Sequence, residues 1–445
     1  MTHHYTYDVV VVGSGVGGYP AAVLLAKHGY SVAVVEEGLV GGTCVNRGCV
    51  PTKTMLYYVK AAKALARLGL EVETPLQLLL EEAKRVSEES RKGIEVLLDS
   101  AGVVLEKCSG RLVSENMLAC GGRKLGFNRL LLAPGSRPWA PQSFKVDGKV
   151  VVHVDDFFSL DNVSASKVAI VGGGPAGVEL AQALARAGVK VDLYEAMKTL
   201  LPTLPSEAGR AAKTMLKLEG VNVNVGKPVD KIGSQGETAI LCAGGECRQY
   251  DLVVCAVGRR PYTGWLMDTA IPLNDRGFIV VNERQEAIPG RIYASGDATG
   301  NPMLAHKAIV ESLIVAKSIL GKTVVKPWPI PLVVYTDPQI AYAAHPERKA
   351  IRYAKLYWGY GLEARLRGYK PQLVFAKIGV DAEGRIVEAL VVGPEAAQSI
   401  TMLSLAIRLG LRPEEVSATV APHPSTVEQV FEAMLELLGE SFNRA

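Results

Sequence analysis

The chain has 445 residues, a formal net charge of +4, 48% hydrophobic content and seven cysteines. Domains usually run to roughly 100–200 residues, so this length holds about three. So slight a charge excess argues against a nucleic-acid partner, and seven cysteines in so long a chain do not make a secreted disulfide scaffold.

In chain order, the first segment, Met1–Asp8, carries no basic leader region, and Asp8 interrupts any apolar stretch. Val9–Val12 is too short to span a bilayer. The expectation is a cytoplasmic protein with no membrane partner. Asp8–Val12 reads as a buried, β-branched strand. It runs into Gly13-Ser14-Gly15-Val16-Gly17-Gly18 and then an Ala/Leu-rich helix from Tyr19 to His28. Ser31–Val35 is the next strand and ends at Glu36, eighteen residues after Gly18. This is a βαβ unit with a dinucleotide fingerprint at Gly13, Gly15 and Gly18. Its glycines let a pyrophosphate approach the helix N-terminus, and Glu36 can accept a bond from a ribose hydroxyl.

Cys44 and Cys49 follow, within Gly41-Gly42-Thr43-Cys44-Val45-Asn46-Arg47-Gly48-Cys49-Val50-Pro51-Thr52-Lys53. Two thiols five positions apart between glycines suggest a redox pair. In a regular helix they would lie at least ~7.5 Å apart along the axis, whereas a disulfide needs Cα atoms within roughly 4.4–6.8 Å. Forming the bond therefore requires a distorted turn, which Gly48 permits. Pro51 suits the first turn of a following helix, whose positive end would favour a thiolate at Cys49. The alternative is a zinc half-site or two inert thiols. Zinc sites need a second ligand pair; none stands out, and no metal is expected.

The fingerprint recurs. Val168–Val171 leads into Gly172-Gly173-Gly174-Pro175-Ala176-Gly177, a helix from Val178 to Ala187, and the strand Val189–Tyr194 ending at Glu195. Glu195 again lies eighteen residues after Gly177. Gly172, Gly174 and Gly177 therefore mark a second dinucleotide site. Glu195 favours NAD over NADP, because a carboxylate repels a 2′-phosphate; the nearby Lys198 reads as a solvated surface residue. Two dinucleotides and a reactive thiol pair imply an electron route from nicotinamide to flavin to disulfide.

Cys242 and Cys247 flank Ala243-Gly244-Gly245-Glu246, a hairpin turn. Free thiols in a meander are favoured there over a bridge. Cys108, Cys120 and Cys255 read as ordinary strand or core residues. From about Pro327 the chain reads as a sheet-and-helix unit, with a hairpin between Leu373–Val380 and Arg385–Val392. Near the C-terminus, Ser425 and Glu428 have capping-box spacing for a helix from Thr426 to Leu438. Pro424 keeps His423 out of the helical region, on a presented loop.

These motifs carry a resemblance to the pyridine nucleotide–disulfide oxidoreductases over nearly the full length. Leu132–Pro138 resembles the crossover out of the family's FAD domain, with Pro134 in place of Thr. Val257–Pro261 resembles the strand end leaving the NAD domain. Ile292–Asp297 resembles the second FAD segment, and Met303–Ala308 the branch that acts on lipoamide. The resemblance implies an α/β fold with two Rossmann-like dinucleotide-binding domains, for FAD and NAD, and a C-terminal α+β dimerisation domain. Boundaries follow at 1–148 (FAD), 149–262 (NAD), 263–326 (a segment returning to the FAD domain) and 327–445 (interface).

It also implies residue roles. FAD would be held by Gly13, Gly15, Gly18, Glu36, Gly42, Thr43, Lys53, Gly135, Gly296, Asp297 and Ala305. NAD would be held by Gly172, Gly174, Gly177, Glu195 and Gly258. Cys44 would exchange with substrate and Cys49 would face the flavin. Lys53 and Glu179 would pair beside the reactive flavin nitrogen. His423, oriented by Glu428, would move the substrate proton in the other subunit of a homodimer. The implied reaction is oxidation of dihydrolipoamide, free or on a lipoyl-bearing protein, by NAD. Reduction of another disulfide, a quinone or a metal acceptor is the alternative. Tyr19–Leu25 has no cation of the kind that holds glutathione, and the tail Ser441–Ala445 lacks a Cys-Cys pair. Two differences from the lipoamide branch fall in the last domain: a shortened connection at Tyr342–Lys349, and Ala421 where a second His is common.

Overall fold

The computed structural model describes residues 4–161 and 163–443. The readings that rest on Met1–His3 and on Arg444 and Ala445 lie outside the described residues. Three sheets organise the chain. In the first, the strand His4–Val12 lies between two parallel partners, Val32–Glu36 and Arg123–Leu132. Val9, Val10 and Val11 are wholly buried, as expected of a parallel strand covered on both faces. A short strand, Ile292–Ala294, re-enters this sheet beside Leu130–Leu132. The chain thus leaves the first unit, builds a second one, and returns. That return delivers Gly296 and Asp297 to the neighbourhood of the Gly13 loop, where Ser295 Oγ donates to Gly17 O at 2.6 Å.

The second sheet is parallel and five-stranded, in the order 222–225, 190–195, 167–171, 252–255, 151–153. An antiparallel three-stranded meander over 231–250 packs on it. The third sheet is antiparallel, in the order 332–334, 339–344, 386–393, 375–380, 352–357. Helices 396–409 and 428–438 pack on it through Ile400, Leu403, Val430 and Met434. Among the described residues no helix is long and apolar enough to cross a membrane.

A buried ionic junction joins the three units. Arg186, with a side chain 4% exposed, meets Glu219 at 2.8 Å and Asp337 at 2.9 Å. Asp337 also takes the Tyr369 hydroxyl and exchanges backbone bonds with the Gln182 amide. Lys63, on the helix after the cysteines, reaches Glu219 at 2.7 Å. Such a cluster is tolerable only because each charge is multiply hydrogen-bonded.

Three expectations need correction. Cys242 and Cys247 form a disulfide rather than remaining free. They are direct cross-strand partners in the meander, which brings their side chains together. Cys108 and Cys120 are also bridged; they flank the antiparallel hairpin Gly110–Ser114/Met117–Cys120, in which Cys120 lies opposite Gly110. Cys255 is buried and unbridged. The last helix begins at Glu428, not Thr426, although Glu428 does accept from the Ser425 N–H as a capping box requires. The Ser425 hydroxyl does not return a bond, so the capping box is only half made.

Candidate active site

The Gly13 and Gly172 loops open onto one cleft of about 1990 Å³, which also receives Cys44, Cys49, Lys53 and Glu179. Gly15, Glu36, Gly42, Thr43, Gly135, Gly174, Glu195, Gly258, Gly296, Asp297 and Ala305 line it too. Gly18 and Gly177 lie beneath the two loops. A Cβ on either would sit 1.9 Å from the carbonyl of its loop's first glycine, so helix and strand can pack this closely only without a side chain. The middle glycines differ. A Cβ on Gly174 would meet nothing within 4 Å, and one on Gly15 nothing nearer than 3.8 Å. These positions leave open space above the loop, which fits the close approach of a dinucleotide pyrophosphate.

Both strand-end acids are anchored. Glu36 accepts from the Ser14 N–H and hydroxyl at 2.8 and 2.7 Å and from the Gly38 N–H at 2.8 Å. Glu195 accepts from the Gly173 and Met197 N–H groups, each at 2.7 Å. The match holds down to the bond that ties each acid to its own loop.

The thiol segment breaks at Arg47–Gly48 into two helices, Gly42–Asn46 and Cys49–Ala66. Cys49 is thus the first residue of an 18-residue helix, where the positive helix end stabilises a thiolate. Both cysteines are free thiols, hydrogen-bonded to each other. Their titrations split. Cys49 is lowered to about 7, first by the hydrogen bond from Cys44 and then by the nearby Lys53 charge, against burial and Glu179. Cys44 is raised, first because its proton is held in the bond to Cys49, and further by burial. Of the two, Cys49 is the sulfur placed to carry the thiolate, at the helix start and nearer the Lys53 charge.

Lys53 lies one turn further along the same helix. Its Nζ stands 2.7 Å from Glu179 Oε2 and 4.7 Å above the Tyr335 ring centroid. Burial works against the ammonium, but Glu179 and Cys49 outweigh it and hold Lys53 charged. The other Glu179 oxygen accepts from the Tyr335 N–H at 2.8 Å. This joins the cysteine helix, the second fingerprint helix and the start of the third sheet.

His423 and Glu428 do not line the cleft. His423 Nδ1 stands 2.8 Å from Glu428 Oε2, and the imidazole is 81% exposed. The ring is oriented, and its other nitrogen points away from the carboxylate.

Several residues escaped the sequence. Arg259 donates to Ser136 Oγ at 2.7 Å, pairs with Asp155, and reaches Thr43 Oγ1 at 3.5 Å. Ser136 in turn donates to Asp297. These partners are too distant in sequence to be linked by pattern. Lys307 and Glu311 form a buried pair at 2.8 Å, and Glu311 accepts from the Gly296 N–H at 2.8 Å. Their i,i+4 spacing on one helix was a usable signal.

Two dinucleotide cradles and a split thiol pair in one cleft define a nucleotide-dependent thiol–disulfide oxidoreductase. The pyridine nucleotide-disulphide oxidoreductase model matches residues 7–312, and the dimerisation-domain model of the same name matches residues 330–434. The chain belongs to the pyridine nucleotide-disulphide oxidoreductase family. It is 32% identical over 448 residues to dihydrolipoyl dehydrogenase from Thermus scotoductus, with 96% of each chain covered. It is 31% identical over 454 residues to the enzyme of that name from Geobacillus stearothermophilus, covering 97% of this chain and 96% of the other. The fold matches the HOCl-induced flavoprotein disulfide reductase RclA from Escherichia coli, with a TM-score of 0.87, 22% identity and coverage of 96% and 99%. It matches LpdA from Mycobacterium tuberculosis with the same score and identity, covering 97% and 99%. Family membership implies FAD and a pyridine nucleotide as cofactors, and the dimerisation domain indicates a homodimer.

Proposed function

We propose that the chain is a cytoplasmic, FAD-dependent dihydrolipoyl dehydrogenase, oxidising a lipoyl dithiol, free or protein-borne, with NAD. The observation that carries this reading is the placement of the thiol pair: Cys49 opens an 18-residue helix one turn before Lys53, and both cysteines line a cleft shared with both glycine loops. A dithiol oxidase needs one sulfur that leaves as a stable thiolate and one that receives substrate.

In the oxidised state Cys44 and Cys49 share a disulfide. A substrate thiolate attacks Cys44 sulfur, the bond to Cys49 breaks, and Cys49 departs as the thiolate that the helix end and Lys53 stabilise. The second substrate thiol then attacks the mixed disulfide. It releases cyclic substrate disulfide and leaves Cys44 as a thiol, so two electrons have passed to the protein. His423 of a second subunit, held by Glu428, accepts the substrate proton. FAD, when bound by the Gly13 loop, supplies the two-electron carrier that returns the pair to its disulfide at the expense of nicotinamide. Lys53 and Glu179 keep a fixed charge pair on the cleft wall for that exchange.

Glu195 supports NAD over NADP. Its carboxylate is buried and tied to the loop, so a 2′-phosphate would meet a negative charge that cannot turn away. Steady-state assays test the reading. NAD reduction by dihydrolipoamide should far exceed NADP reduction. NADH oxidation by glutathione disulfide, a quinone or Cu(II) should be much slower than by lipoamide. Faster turnover with one of those acceptors would replace lipoamide as the substrate.

A further inference from the structure

The two disulfides differ in setting. Cys242–Cys247 closes an exposed hairpin, with Cys247 in solvent. Cys108–Cys120 is partly buried: Cys120 is 1% exposed while Cys108 faces the cleft, and the bridge spans 12 residues. Cys108 follows the edge strand Val104–Lys107, and its N–H donates to the Glu36 carbonyl at 3.0 Å. Cys120 ends the strand Met117–Cys120 and lies in register with Gly110. Residues 108 and 109 therefore leave one edge of the first sheet and pass the end of the Glu36 strand into the hairpin Gly110–Ser114/Met117–Cys120, whose open end the bridge closes. Residues 108–111 line the cleft beside Glu36 and Glu37. Gly110 packs so closely that a Cβ there would stand 2.9 Å from the Leu118 side chain and 3.1 Å from that of Val35. Glu36 marks where the ribose of a bound dinucleotide is held, so this segment walls the adenosine end.

We propose that the Cys108–Cys120 disulfide is a covalent clamp on the wall of the FAD adenosine subsite, so that the grip on FAD depends on this bridge being closed. The inference rests on the reading of the Gly13 loop as the FAD site. A closed bridge restricts the segment and spares FAD the cost of ordering it. A small dithiol opens the clamp by passing two electrons and two protons to it, leaving two protein thiols and a cyclic disulfide. Cys242–Cys247 shares the chemistry but sits on the meander, away from the cleft, and is the natural control.

The experiment uses the holoenzyme. Free thiols are blocked and peptides mapped without reduction, and FAD release after dilution is followed by the rise in flavin fluorescence. The map should contain a linked Cys108–Cys120 peptide. The Cys108→Ser variant should release FAD at least about tenfold faster, while a Cys242→Ser/Cys247→Ser variant should release it at the wild-type rate. Anaerobic dithiothreitol, applied until the map shows the bridge open, should accelerate release from wild type but add nothing in Cys108→Ser. That arm needs no substitution, because the acceleration should track the opening of Cys108–Cys120 in the map and not that of Cys44–Cys49; its null in Cys108→Ser adds a second control. An unlinked map, equal release from open and closed wild type, or equally fast release from the control would overturn the clamp. Wild type that never holds FAD would overturn the cofactor reading instead.

Discussion

At the scale of single residues, the site depends on an asymmetry between two chemically identical thiols. The largest influence on Cys49 is the proton donated by Cys44. Cys44→Ala removes that donor, whereas Cys44→Ser keeps a hydroxyl. With the flavin removed and the protein reduced, Cys49 thiolate absorbance at 240 nm should rise as pH increases through about 7 in wild type and fall away below it. The midpoint should move up in Cys44→Ala, and less in Cys44→Ser. Lys53→Met should also move it up, by about one unit or more, because an adjacent cation favours the charged form. A midpoint indifferent to all three changes would refute the electrostatic account of the pair. Much of this was legible in the sequence: the spacing of Cys44 and Cys49 and the breaking residue Gly48 are local. The partners of Lys53 were not. Glu179 lies 126 positions away, and only family resemblance linked the two. Tyr335 and Arg259 escaped altogether, because a side chain that bridges units leaves no periodic trace.

At the scale of elements, strand, glycine turn, helix and acid form a local grammar, and both copies could be read directly. The grammar also says that the glycines of one loop do different work. Gly177→Ala would drive a methyl into the Gly172 carbonyl; it should lower the melting temperature markedly or prevent folding. Gly174→Ala meets no protein atom within 4 Å; it should melt within a degree or two of wild type, yet bind NADH at least about tenfold more weakly, since it fills the pyrophosphate approach. Differential scanning fluorimetry and an NADH titration separate the two, and equal behaviour of the variants would count against the cradle. The disulfides were misjudged at this scale. Cys242 and Cys247 were correctly placed on a hairpin, but pairing depends on register, and a one-residue slip would have turned them to opposite faces. Cys108 and Cys120 close the open end of the hairpin Gly110–Ser114/Met117–Cys120, whose short, weakly patterned strands gave no clear register from sequence.

At the scale of the whole molecule, the order of units could be read from the two fingerprints and the composition of the C-terminal third, but the way they lock together could not. The Arg186 cluster joins the second and third sheets to the cysteine helix through Glu219, Asp337 and Lys63. Arg186→Met would leave Glu219 to Lys63 alone and Asp337 to the Tyr369 hydroxyl and a distant Lys60, and the cost should be about 2–3 kcal/mol, read as a lower urea midpoint. His423 poses the larger question. It is oriented by Glu428 but lies outside the cleft that holds Cys44, so the proton transfer proposed for it requires a second copy of the chain. Mixed dimers test this most directly. Cys44→Ser and His423→Gln homodimers should each be nearly inactive in dihydrolipoamide-dependent NAD reduction. Co-refolding or co-expressing the two should restore activity, because half of the mixed dimers' sites pair an intact Cys44 with an intact His423. Mixed dimers as inactive as their parents, or a His423→Gln homodimer with wild-type turnover, would contradict the shared site.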